Sequence, residues 1–277
     1  MELSTYKLSG YKGDRGLFMD PLIYVLALLF TGLLVGLATG LLGVGGGFII
    51  APVLFFLMEA GGTPPDIAIR TAFGTSLAII LPTALSGAHS HYRRGCVDPG
   101  TGITMGVLGA CGSVAGVFTA SASPAELLKR IFGVLLILVS LQLLLSSRIP
   151  PSGVKRNAAA PLGFLTGFLS GLLGIGGGVV LVPLLVMVAG FDVLEAVGTS
   201  SLVIAFTAAS GTISYILTGP GGPFTVGYVN LLQFLLVIVV SVPASRLGAL
   251  IAHRVDVRYI RYIFIILLIC TGLRMLL

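Results

Sequence analysis

Apolar residues run through this chain in long blocks, and polar residues are confined to the gaps between them. In the first half the blocks cover roughly 21–42, 47–58, 67–92, 101–122 and 125–147. In the second they cover roughly 160–173, 178–190, 196–217, 228–250 and 258–277. Several reach the ~20 apolar residues that a helix needs to cross a bilayer. Blocks 47–58, 160–173 and 178–190 fall short of that and read as half-helices. The pattern predicts an all-α integral membrane protein.

The two halves are copies. Gly32–Pro52 reads GLLVGLATGLLGVGGGFIIAP, and Gly163–Pro183 reads GFLTGFLSGLLGIGGGVVLVP, identical at 11 of 21 positions with an offset of 131. Further on, Gly74-Thr75-Ser76 matches Gly198-Thr199-Ser200, and Ser86-Gly87 matches Ser210-Gly211, both at an offset of 124. A duplicated, glycine-broken hydrophobic segment is the sequence signature of a secondary-transporter binding site. The expected organisation is a polar N-terminal segment over 1–20, a membrane repeat over 21–147, a cytoplasmic linker over 148–160 and a second membrane repeat over 161–277.

Composition strengthens the membrane reading. The 277 residues are 56% hydrophobic and 9% charged, against about 25% charged in soluble domains. The net charge of +6 lies in gaps beside spans, where membrane orientation accounts for it and a nucleic-acid partner does not. Cys96, Cys111 and Cys270 are scattered and odd in number, so neither a disulfide framework nor a metal site is expected. Arg93 and Arg94, then Arg148, Lys155 and Arg156, then Arg254, Arg258 and Arg261 mark three cytoplasmic gaps, whereas 59–66 and 218–227 lack Lys and Arg. With about five segments per repeat, that charge pattern places the second half upside down and both termini outside. The expectation is therefore two inverted-topology repeats whose glycine-broken hairpins meet near the bilayer midplane. The location expected is the plasma membrane.

Consecutive glycines weaken a helix by ~1 kcal/mol each relative to alanine. Gly43–Gly47 and Gly174–Gly178 therefore predict an unwound turn, tolerated at membrane depth only where it is buried in protein or lines a cavity. A helix starts after each run, and its first amides lack intrahelical acceptors and carry partial positive charge. Two such tips make an anion site without any lysine or arginine. The substrate-binding candidates are Gly45, Gly46, Gly47, Gly176, Gly177 and Gly178, with the hydroxyls of Thr75, Ser76, Thr199 and Ser200 as further donors. The glycine runs lack a preceding strand and a downstream acid, which rejects a dinucleotide fold. Glycines spaced by four, at 32, 36 and 40 and at 163, 167 and 171, predict close helix packing.

His89, His91 and Arg93 close the third block of the first half, where the second half has Ile213, Tyr215 and Leu217. With Arg246 they are candidates for a gate or an electropositive mouth that gathers anions, and the histidines are candidates for proton coupling. The spans hold almost no Asp or Glu, which argues against cation transport. No nucleophile–base–orienter set and no phosphate loop for ATP is present, so no enzyme is expected, and no cofactor.

The paired GLLGVGGG and GLLGIGGG motifs, each followed by GTS, resemble the sulfite exporter TauE/SafE family over nearly the whole chain. That resemblance implies transport of sulfite, sulfoacetate or a related organosulfonate, with export the leading direction. It also implies that Gly45–Gly47, Gly176–Gly178, Thr75, Ser76, Thr199 and Ser200 line the anion site. The expected partners are the small anionic substrate and the lipid bilayer, with a homodimer left open. An anion channel, an uptake carrier for thiosulfate- or sulfate-like anions and a non-transporting scaffold are the rival readings.

Overall fold

A computed structural model describes residues 21–42, 45–145, 160–222, 224–251 and 257–276. The expected N-terminal segment over 1–20, nearly all of the 148–160 linker, and Gly43 and Val44 lie outside the described residues. The elements run α1 (Pro21–Leu42), α2 (Gly47–Ala60), α3 (Pro65–Tyr92), α4 (Pro99–Ala122), α5 (Ala125–Leu145), α6 (Ala160–Leu173), α7 (Gly178–Met187) and α8 (Val193–Thr218). A two-residue hairpin, β1 (Thr225–Val226) and β2 (Val229–Asn230), then leads into α9 (Leu231–Ile251) and α10 (Val257–Leu276).

The helix starts follow from local chemistry. Pro65 and Pro99 occupy first-turn positions where proline's missing N–H is harmless. Asp98 caps α4, its carboxylate accepting from the amides of Gly100 at 3.1 Å and Thr101 at 3.3 Å. Five of the described helices are long and apolar enough to cross a membrane, spanning Leu22–Leu41, Pro65–Tyr92, Pro99–Ala122, Val193–Thr218 and Leu231–Gly248. With 14 and 10 residues, α2 and α7 are about 21 and 15 Å long at 1.5 Å per residue. That is short of a ~30 Å hydrocarbon core, as expected of half-helices.

The halves interlock. Helix α1 packs on α9, and α4 packs on α6. A Cβ placed on Gly163, Gly167 or Gly171 would fall on the backbone of Met105, Gly109 or Ser113 respectively. Successive glycines of α6 thus meet successive turns of α4, so the two helices run parallel. In the same way Gly32 and Gly36 meet Val237 and Ser241, and Gly248 meets Leu37 and Gly40. These stripes act as the sequence predicts: without side chains on the contact face, the backbones pack directly. Helices α3 and α8 cross at the centre. Gly74 lies against Tyr215, and Gly87 near Ser201, so these two counterpart helices run antiparallel. Antiparallel counterparts are what an inverted repeat requires. The core gathers around Phe48, Phe55, Phe73, Phe132, Ile80 and Ile204, all buried. Leu22, Phe30, Leu138 and Val239 are exposed on the outside of the bundle, the side that lipid would cover.

Candidate functional site

The two glycine turns meet at the middle of the bundle. Gly46, at φ 67°, precedes α2, and Gly177, at φ 77°, precedes α7. That left-handed conformation costs any residue with a side chain, and it reverses the chain within one or two residues. A Cβ on Gly47 would lie 2.6 Å from the Ile175 Cα, so the turns touch backbone to backbone. Gly45 and Gly176 both lie against the same two side chains, Ile80 of α3 and Ile204 of α8. Ile80 is 15 residues into α3 and 12 from its end, and Ile204 is 11 into α8 and 14 from its end. The turns therefore sit at mid-height of the two longest helices. Gly45–Gly47 and Gly176–Gly178 are all buried, with both isoleucines packed against Gly45 and Gly176.

The hydroxyls of the GTS motifs are engaged by backbone. Thr75 Oγ1 accepts from the Asn230 amide at 2.8 Å, just before α9 begins. Thr199 Oγ1 accepts from the Asp98 amide at 3.0 Å, just before α4 begins. Each threonine thus anchors the start of the fourth helix of the other half. The glycine ahead of it permits the approach, since a Cβ on Gly74 or Gly198 would strike the carbonyl oxygen of Tyr228 or Cys96. Ser76 Oγ donates to the Gly174 carbonyl at 2.7 Å, holding the second glycine turn. Ser200 Oγ donates to the Val197 carbonyl at 2.9 Å. Ser76 is thus bonded to a glycine turn, the two threonines to helix starts, and Ser200 to its own helix.

His89 and His91 part company. His91 is buried, and its Nε2 lies 3.3 Å from the Gly40 carbonyl. Its counterpart Tyr215, also buried, donates its hydroxyl to the Gly171 carbonyl at 2.9 Å. Gly40 and Gly171 are themselves counterparts, the last glycine of each spaced stripe. Both side chains therefore hold the end of the helix that enters a glycine turn, and His91 lies outside the mouth into which the sequence grouped it. His89 is exposed and joins Ser86, Ser90, Arg93, Arg94, Arg246 and Leu250 around a cavity of about 510 Å³ between α3 and α9. Arg246 Nε donates to Ser86 Oγ at 3.1 Å across it. Here the structure brings His89, Arg93 and Arg246 together around one cavity, with Arg94 and both serines beside them.

Sequence reasoning missed the isoleucine pair and two buried ties between the halves. Ser245 Oγ donates to the Thr83 carbonyl at 3.0 Å, and Ser113 Oγ donates to the Thr207 carbonyl at 2.9 Å. The offset of 124 that relates Thr83 to Thr207 also relates Ile80 to Ile204. The offset marks these residues as counterparts, but it does not say what either of them meets. Among the described residues, no Asp or Glu side chain is buried, and no group of three or more His, Cys, Asp or Glu is placed to hold a metal ion.

The family model described as Sulfite exporter TauE/SafE matches residues 28–275. A relative from Methanocaldococcus jannaschii is 32% identical over 255 residues, covering 90% of this chain and 94% of its own. One from Haemophilus influenzae is 30% identical over 264 residues, covering 92% and 98%. YunE of Bacillus subtilis is 29% identical over 270 residues, covering 90% and 96%. Each of these three bears the name "Probable membrane transporter protein". No solved structure matches.

Proposed function

This chain belongs to the sulfite exporter TauE/SafE family of membrane transporters, and on that premise we propose that it carries a small sulfur-containing oxyanion out of the cell through the plasma membrane. The substrate class is sulfite, sulfoacetate or a related organosulfonate. The observation that carries the reading is the pair of buried glycine turns, each opening a helix, that abut at mid-height between Ile80 and Ile204. Each turn opens a helix whose first-turn amides lack intrahelical acceptors and carry the positive dipole end, and two such tips side by side suit an anion. The lack of buried carboxylates among the described residues favours an anion over a cation. The burial of the turns favours a carrier over an open channel. The antiparallel relation of α3 to α8 supports an inverted repeat, in which rocking of one half against the other exposes the turns to each side in turn. On this reading the termini lie outside.

Export of an anion needs no coupling ion. One negative charge moving outward through an inside-negative membrane gains ~2.3 kcal/mol per 100 mV, equivalent to roughly 50-fold accumulation. Purified protein in liposomes should move labelled sulfite or sulfoacetate without ATP, saturably and with stimulation from unlabelled solute on the far side. No flux of any such anion would refute transport of this class, and unitary currents would replace the carrier with a channel.

A further inference from the structure

The two glycine turns are framed alike and finished differently. At the offset of 131, Ser170 of α6 is the counterpart of Thr39 of α1, and Thr166 is the counterpart of Val35. Thr39 and Ser170 are fully buried, and each flanks the last glycine before the next helix. A Cβ on Gly46 would lie 3.1 Å from the Val35 carbonyl oxygen and 3.2 Å from Thr39 Oγ1. One on Gly177 would lie 2.9 Å from the Thr166 carbonyl oxygen and 3.5 Å from Ser170 Cβ. Thr39 Oγ1 is spent on its own helix, donating to the Val35 carbonyl at 2.8 Å. The Thr166 carbonyl offers Ser170 the same acceptor, yet among the described residues Ser170 Oγ has no hydrogen-bond partner. Hydroxyls within helices ordinarily turn to a carbonyl three or four residues back, as Thr166 does to Leu162 at 2.7 Å and Ser201 to Val197 at 2.8 Å. An unpaired buried hydroxyl costs stability, and that cost is recovered once a solute supplies the partner.

The turn beside Ser170 is also held from other helices. Ser76 of α3 donates to the Gly174 carbonyl at 2.7 Å, and Thr207 of α8 donates to the Gly176 carbonyl at 3.3 Å. Their counterparts Ser200 and Thr83 donate within their own helices, to Val197 and to Ile79 and Ile80. The backbone bonds that open α7 run from the Val180 and Leu181 amides to the Gly177 carbonyl. The amides of Gly178 and Val179 therefore precede the first intrahelical bond, where a helix leaves its donors to an outside acceptor. Given that the turns receive the transported anion, we infer that Ser170 is a substrate-contacting residue. Its hydroxyl and the first-turn amides of α7 hold an anionic oxygen at the second turn, while the first turn serves as scaffold. A hydroxyl bonded to an anionic oxygen makes a charge-assisted bond, stronger than one to a neutral acceptor, and burial strengthens it further. Serine suits this position because it lacks the second Cβ branch that restricts a threonine's rotamer.

The test pairs flux of labelled sulfite and sulfoacetate in proteoliposomes with thermal unfolding of the full-length protein, for Ser170→Ala, Ser170→Thr and Thr39→Ala. Ser170→Ala should raise KM by about tenfold or more. Its unfolding temperature should hold or rise, because an unpaired buried hydroxyl is removed. Ser170→Thr, which decides the matter should the alanine variant fail to fold, should raise KM by a similar factor. A threonine there meets the Thr166 carbonyl just as Thr39 meets Val35, and its hydroxyl is spent on the helix. Thr39→Ala should do the reverse: it loses a buried methyl and a hydrogen bond, so its unfolding temperature should fall while KM stays within about twofold. Unchanged KM in the folded Ser170 variants would overturn the assignment and leave the transport reading standing. A rise of KM in Thr39→Ala equal to that in Ser170→Ala would also overturn it, by making the two turns equivalent. Failure of both Ser170 variants to fold would overturn it by making the hydroxyl structural. Absence of flux of either anion in the wild-type protein would instead refute the transport reading, and the assignment with it.

Discussion

Gly45→Ala separates the turn pair's role in transport from its role in the fold. At Gly45 φ is +78°, so any side chain costs about 1–2 kcal/mol in backbone strain. The new methyl would sit 3.4 Å from the Ile204 Cγ2 and 3.5 Å from the Ile80 Cγ2, which is ordinary van der Waals contact and adds no clash. Gly46 and Gly47 are poorer probes. A Cβ there falls 2.5 Å from the Val35 Cγ1 or 2.6 Å from the Ile175 Cα, so a substitution shifts the scaffold and confounds folding with function. Gly190 provides the control, with φ +68° and nothing within 4 Å of an added Cβ. Gly45→Ala and Gly190→Ala should therefore lose the same ~1–2 kcal/mol of stability, read as matching shifts in a thermal unfolding curve. Only the first places a methyl where two turns must receive a solute. In proteoliposomes loaded with labelled sulfite or sulfoacetate, Gly45→Ala should lose flux by roughly tenfold or more, the equivalent of about 1.4 kcal/mol of binding, while Gly190→Ala keeps it. Equal flux in the two variants would refute the argument that the turns are the pathway.

Thr75→Val and Thr199→Val keep the shape but remove the acceptor for the Asn230 and Asp98 amides. Each should cost about 1–3 kcal/mol, and unfolding curves that match wild type would show the anchors to be dispensable. Gly167→Leu drives a side chain into the Gly109 backbone and should destabilise by at least the ~1–3 kcal/mol typical of overpacking; retention of folded protein on size-exclusion chromatography at the wild-type level would contradict the close α4–α6 crossing. Asp98→Ala removes the cap of α4 and should lower stability by ~1 kcal/mol, which thermal unfolding checks against the neutral control Asp98→Asn.

The sequence determined the class, the duplication, the glycine turns and the close helix faces, because each rests on composition or on local spacing. Continuous apolar blocks have no other stable home than lipid or a core. Three glycines in a row break a helix wherever they occur, and small residues four apart share one helix face. The positive cluster was partly legible, since His89 and Arg93 lie four residues apart at the end of one block while Arg246 stood alone in its own. What the hydroxyls and His91 do was decided only by the tertiary structure. Thr75 meets an amide 155 residues away, and His91 meets a carbonyl 51 residues away, and nothing in local spacing encodes either partner. Ile80 and Ile204 carried no signal at all, since an isoleucine in an apolar span looks the same whether it faces lipid, core or a meeting of two turns. Their position at the centre exists only because two antiparallel helices, one from each half of the chain, pack together there.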